Sequence, residues 1–191
     1  MKHEARVQGL EAFGHGPVLL SDALRRCPRK MWLYRPAQDR WSIHEIILHL
    51  ADSEAEGYIR CRQFIAEPGS AAQIYDAATW ASSLGYFHQS TREALGLISR
   101  LRRMTHRILL YIPDSVWSHS VRHPKRGMLS LDEWLENQVG HMPHHIEQIQ
   151  QNHVAWAQTH PPRKSATRTG RDAAKNPAAL EPLAQVTEFG D

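Results

Sequence analysis

Cysteine is scarce in this chain. Only Cys27 and Cys61 occur in 191 residues, which excludes a disulfide framework and a cysteine-based zinc finger. Long apolar runs are missing as well. The longest candidate, 46–51, is interrupted by His49, whereas a membrane span needs about 20 apolar residues. The opening Met1-Lys2-His3-Glu4 leads into a polar stretch with no signal-peptide core, so the expectation is a soluble cytoplasmic protein. Motifs with a fixed chemistry are absent too: no G-x-S-x-G elbow, no Walker A loop, and no further glycine after Gly14-His15-Gly16 to make a nucleotide loop. Charge is nearly balanced, with 23 Lys and Arg against 20 Asp and Glu. What the chain does have is histidine, 13 of them.

The length suits one domain with a real core. From Gln158 to Asp191 there are four Pro, one Phe, no Trp or Tyr, and mixed charge. Such composition offers little apolar surface against its ordering entropy, so 158–191 reads as a disordered tail and 1–157 as the folded domain. The pattern within the domain is helical. Ser42-x-x-Glu45 and Ser130-x-x-Glu133 are capping boxes ahead of long periodic stretches, which predict helices over Ser42–Ala66 and Ser130–Ala157. A third is predicted over Leu84–Ile112, where Pro113 stops it, and a fourth near Pro17–Arg26, with an earlier start left open. Pro28–Arg40, Pro68–Ser82 and Pro113–Leu129 read as loops. The expected class is all-α, a four-helix bundle with long connections.

The histidines are sorted by spacing. His44-Glu45 with His49 is one residue too long for H-E-x-x-H, and a spacing of five turns the rings roughly 140° apart. No His has a Glu three residues before it, as a di-iron bundle needs. His141 and His145 are different: four residues apart, they are separated by about 6 Å along a helix and about 40° around it, so both imidazoles can meet one cation. The apolar face of that helix holds Leu135, Met142, Ile146 and Ile149. It places His145 on the inner side and His144 toward solvent. Pro143, between them, predicts a kink. His49 interrupts the most apolar stretch of its helix and is the third candidate. Alone it could equally be a hydrogen-bonded core residue.

Arg40-Trp41-Ser42-Ile43-x-Glu45-Ile46-x-x-His49-Leu50-x-Asp52-x-Glu54, followed by His141-x-x-His144-His145-x-x-Gln148-Ile149, resembles the DinB/YfiT-like superfamily. The resemblance covers about residues 15–155 and is strong only at its two ends. Pro143 and the long C-terminal segment depart from it. It implies a four-helix bundle, commonly a homodimer, that holds one divalent metal through His49, His141 and His145. It also implies metal-dependent hydrolysis or transfer of a low-molecular-weight thiol.

Three neutral imidazoles leave a water position open on a tetrahedral ion, the layout of catalytic zinc. Zinc is the first expectation, and nickel, iron or manganese suit the same ligands. Gln138, Gln148 and Asp52 lie one turn from the three histidines and are candidates to hold the free ring nitrogens. Glu45 is committed to its capping box, and both cysteines read as packing residues. The basic run 100–107 faces away from Leu97, Leu101, Met104 and Ile108, so it reads as a solvated face rather than a nucleic-acid surface. The basic stretch His119–Arg126 precedes the last helix and is either an exposed loop or a collar that attracts an anionic substrate. The competing reading of the whole is a non-catalytic, metal-stabilised dimer of the stress-response kind. A third is a metal-free bundle whose histidines only make hydrogen bonds.

Overall fold

Ser42 and Ser130 do what their spacing predicts. In the computed structural model, which describes residues 1–161 apart from 74 and 75, each seryl side chain accepts from the amide three residues on. The Glu at that position returns the bond in both cases. The capped helices are α2, Ile43–Ala66, and α5, Leu131–Thr159. Glu45 also takes Arg35 Nε at 2.8 Å, so its carboxylate is engaged twice at the helix start. The other elements are α1 (His3–Arg25), the short α3 (Ala77–Ser83) and α4 (Thr91–Leu109). A hairpin is formed by β1 (Ser120–His123) and β2 (Gly127–Ser130). The four long helices make the bundle. No helix among the described residues is long and apolar enough to cross a membrane.

Four expectations change. The helix expected near Pro17–Arg26 begins at His3 and runs through Gly14, Gly16 and Pro17. Glycine and proline inside a helix are ordinarily unfavourable. In the fold the glycines are points of close approach: a Cβ on Gly14 would come within 2.8 Å of the His106 ring, and one on Gly16 would stand 3.5 Å from Met142. Pro17 has no N–H for the carbonyl of Phe13, and that carbonyl instead accepts from Arg102 Nη1 at 3.3 Å.

The helix expected from Leu84 to Ile112 is shorter. Ser90 caps α4 through the Glu93 amide at 3.3 Å, while Gly85, at φ 58°, turns the chain into a separate 3-10 turn, Tyr86–His88. Its inner face is also rotated from the expected one. Ala94, Ile98, Arg102, Thr105 and Leu109 are buried, whereas Leu97 and Met104 are exposed. Arg102 therefore leaves the solvated face assigned to it, because Glu54 of α2 neutralises it inside the bundle.

All three stretches expected to be loops contain structure, the first a 3-10 turn, Arg29–Met31. Asp76 caps α3 through the Thr79 amide at 2.7 Å. The 113–129 segment holds the hairpin, antiparallel with Val121 opposite Leu129. Those two are its buried residues, too few to reveal an alternation in sequence. Gly127, at φ 74°, supplies the left-handed residue where β2 begins. α5 passes through Pro143 without interruption. The expected tail lies outside the described residues from 162 onward.

One apolar cluster joins α1, α2, α4 and α5 around Leu20, Ile47 and Ile98. A second, around Phe13, Phe64 and Trp134, seats the hairpin. α2 packs mainly on α4, and α1 on α5. The lighter contact between α2 and α5 leaves the space in which the histidines meet.

Candidate metal centre

His49 belongs to the buried face of α2, and His145 to that of α5; each is 6% exposed. Antiparallel packing brings His141 between them. Its Nε2 lies 3.4 Å from that of His49 and 3.1 Å from that of His145. One ligand atom from each of the three falls within 4.8 Å of the others. The alternative partner of His141, His144, is exposed.

The neighbours fix the rings. His145 Nδ1–H donates to Gln148 Oε1 at 2.9 Å, which leaves the lone pair of His145 on Nε2, toward the other two rings. The amide of Gln148 donates in turn to His144 Nε2 at 3.1 Å, so the exposed histidine holds the glutamine in this orientation. Trp41, just ahead of the α2 cap, lies nearly parallel to the His145 ring at 6.4 Å and packs 4.8 Å from that of His49. Asn152 Nδ2 holds the Trp41 carbonyl at 2.8 Å.

The electrostatics favour neutral imidazoles. Burial, reinforced by His145 and His141, pushes His49 down to about 3. Burial and the neighbouring His145, Arg102 and His144 bring His141 to about 4. His145 also falls to about 4 through burial, against the opposing bond from Gln148. All three lone pairs are then free of protons at neutral pH, as a metal requires.

The sign for stability follows directly. The folded values lie below the ordinary 6.5, so the unfolded chain binds more protons between about pH 6.5 and 4. In that window stability falls as pH falls, by about 1.4 kcal/mol per pH unit for each histidine. Metal-free protein is expected to have a much lower denaturant midpoint at pH 5 than at pH 7. A flat profile would show that the rings do not share this buried environment.

The donor set fits a divalent ion. Two nitrogens bound at 2.0–2.1 Å with a tetrahedral angle stand about 3.3 Å apart, close to the 3.1 and 3.4 Å found here. Gln148→Leu, which removes the acceptor for His145 Nδ1–H, should weaken metal binding about 10- to 100-fold while α5 stays folded. Competition with a chelator measures it, and unchanged affinity would deny Gln148 this role.

Of the other two expected supports, Asp52 is engaged away from the three histidines. Asp52 accepts the Tyr86 hydroxyl, and burial raises its carboxyl above the ordinary range against that bond. Gln138 lies on the wall of an open cleft of about 380 Å³ that also takes in His141, Ser53 and Glu56. Ser53 and Glu56 were not singled out in the sequence, although they follow His49 at four and seven residues and so share its face. Ser53 Oγ stands 3.5 Å from His49 Nε2. Larger clefts of about 720 and 880 Å³ flank α1, but no histidine lines them; size and chemistry diverge here, and chemistry selects the smaller cleft. Both cysteines are buried, and burial pushes the Cys61 thiol up to about 12. Neither is placed to act as a nucleophile.

A family model for the DinB superfamily matches residues 13–149. A candidate metal-dependent hydrolase of Oceanobacillus iheyensis is 28% identical over 109 residues, 57% of this chain and 63% of that protein. Another from Halalkalibacterium halodurans is 22% identical over 114 residues, 60% of this chain and 66% of the relative. YfiT of Bacillus subtilis, also a candidate metal-dependent hydrolase, is 26% identical over 110 residues, 57% of this chain and 62% of its own length. The chain thus spans just under two thirds of these relatives. The solved structure of YfiT, described as having an unusual four-helix bundle topology, superposes with a TM-score of 0.76 at 21% identity. That match covers 82% of this chain and 90% of YfiT.

Proposed function

The chain belongs to the DinB superfamily, and from that premise we propose that it is a metal-dependent hydrolase in which His49, His141 and His145 hold one divalent ion, zinc in the first instance. The observation that carries this is the approach of their Nε2 atoms to 3.1 and 3.4 Å, with the His145 lone pair fixed by Gln148. Such an ion, when bound, polarises a substrate carbonyl and lowers the pKa of bound water toward 7.

The chain's own residues do the rest. Trp41 covers two of the rings and keeps the dielectric low beside them, which strengthens every charge interaction there. The cleft is the route for substrate, since it is open and His141 lines it. Ser53 Oγ, 3.5 Å from His49 Nε2, offers a hydrogen bond to a substrate oxygen. Glu56, on the same wall and paired with Arg60, lies about 10 Å further along α2 than His49 and marks the outer end of the cleft.

Zinc-loaded protein incubated with ester and amide panels, with and without a low-molecular-weight thiol, tests the proposal. Turnover that needs metal but no thiol supports hydrolysis. Turnover only with thiol replaces it by thiol transfer. No turnover, together with a sharp drop in melting temperature on chelation, makes the ion structural.

A further inference from the structure

The cleft at the histidines meets a second hollow at Glu56, which lines both. This hollow, of about 210 Å³, lies between α2 and α3, and Asp52, Ala55, Ile59, Arg60 and Trp80 help to wall it. With His49 at 0° around α2, Ser53 lies near +40° and Glu56 near −20°, while Asp52 and Ile59 fall near −60° and −80°. The second hollow therefore continues the first around the helix. Ala55 and Ile59 are also about 9 and 15 Å further along the axis than His49.

More of its surface is apolar than polar. Ile59 is 56% exposed, the one large aliphatic side chain that α2 leaves so open, and Trp80 stands across the hollow from it. The rest of the wall is polar: Gln63 and Gln73 beside Glu56, which pairs with Arg60, and Asp52, which bonds Tyr86. Charges of both signs there favour a neutral occupant. A cavity of roughly 150 Å³ lined by apolar side chains accommodates benzene, so this one has room for a phenyl ring or a branched aliphatic group with its linker.

We infer that the hollow is the subsite for an apolar arm, and that the substrate is an elongated molecule. Its neutral aromatic or branched aliphatic end rests on Ala55, Ile59 and Trp80, about 10 Å along α2 from the group attacked at the histidines. The inference rests on the hydrolase reading of the histidine centre. It adds the substrate class, which neither the ligand set nor the family supplies.

Hydroxamates bind zinc directly and separate the two ideas. Acetohydroxamate has no arm; ω-phenylalkyl hydroxamates of increasing chain length carry one. Calorimetry on zinc-loaded full-length protein should show affinity rising about tenfold or more over acetohydroxamate once the chain spans the distance, as burial of a phenyl group implies. In Ile59→Asp, at an exposed position, and in Trp80→Ala, at a half-buried one, the ratio of the two affinities should collapse toward one. Affinity that is flat with chain length, or a gain that survives both substitutions, overturns the apolar subsite alone. Failure of acetohydroxamate itself to bind overturns the metal reading and the inference with it.

Discussion

Replacing His141 by alanine should take the metal from one ion per chain to a small fraction of that, an affinity loss exceeding about 100-fold. The size follows from position. His141 Nε2 is the atom within 3.4 Å of His49 and 3.1 Å of His145, so its removal leaves two donors without the one between them. Loss of a group that only orients a ligand costs about 10- to 100-fold, and loss of the ligand must exceed that. His144→Ala is the internal comparison. Its exposed ring packs 5.3 Å from that of His145 and takes a bond from Gln148 but is not one of the three clustered ligands, so the variant should keep most of its metal. Metal analysis and chelator competition on untagged protein read both. The substitution has an opposite effect on the metal-free protein in acid. With one depressed imidazole gone, stability between pH 6.5 and 4 falls less steeply than in wild type.

Arg102→Ala should cost about 3–5 kcal/mol of folding stability, a large part of the roughly 5–15 kcal/mol that holds a domain together. Arg102 is 1% exposed and Glu54 5%. Arg102 Nε donates to both Glu54 oxygens at 3.0 Å, Nη1 serves the Phe13 carbonyl, and the guanidinium lies 3.9 Å over the Phe13 ring. Truncation strands a buried carboxylate and the carbonyl that Pro17 leaves without a helical donor, and it opens a cavity. Burial already raises Glu54 above the ordinary carboxyl range, with Arg102 opposing it, so the cost should shrink at low pH as Glu54 takes a proton. The double variant Arg102→Met with Glu54→Leu should recover most of the loss, because replacing both charges removes the desolvation as well as the attraction. Denaturant unfolding of single and double variants decides it. Equal destabilisation of the two would mean that the ion pair is not what the single substitution breaks.

The same arginine marks the limit of what the sequence discloses. α2 and α5 were legible because Ser42 and Ser130 signal their starts with a local bond that needs nothing distant. The meeting of His141 and His145 was legible because both stand on one helix at a fixed pitch. The face of α4 was not. Its buried stripe contains Arg102 and Thr105, which hydropathy ranks as outward, and only Glu54 on another helix makes Arg102 an inward residue. α1 was hidden for a related reason. Gly14 and Gly16 look like breakers until His106 and Met142 are seen against them, and Pro17 becomes tolerable because a side chain of α4 takes the carbonyl it frees. At the site, Gln148 could be proposed from spacing, whereas Trp41 depended on how the segment before α2 crosses α5. Ser53 and Glu56 shared the face of His49 but carried no signal of their own until α5 formed the other wall of the cleft.

Three histidines from two helices are proposed to hold one divalent ion. Anomalous diffraction from crystals of the untagged protein, recorded on either side of the absorption edge of the co-purified metal, tests it most directly. A single strong peak per chain is expected, about 2.0–2.1 Å from the Nε2 atoms of His49, His141 and His145, that vanishes in His141→Ala. A peak at any other set of side chains, or fully formed rings with no peak between them after metal loading, would contradict it.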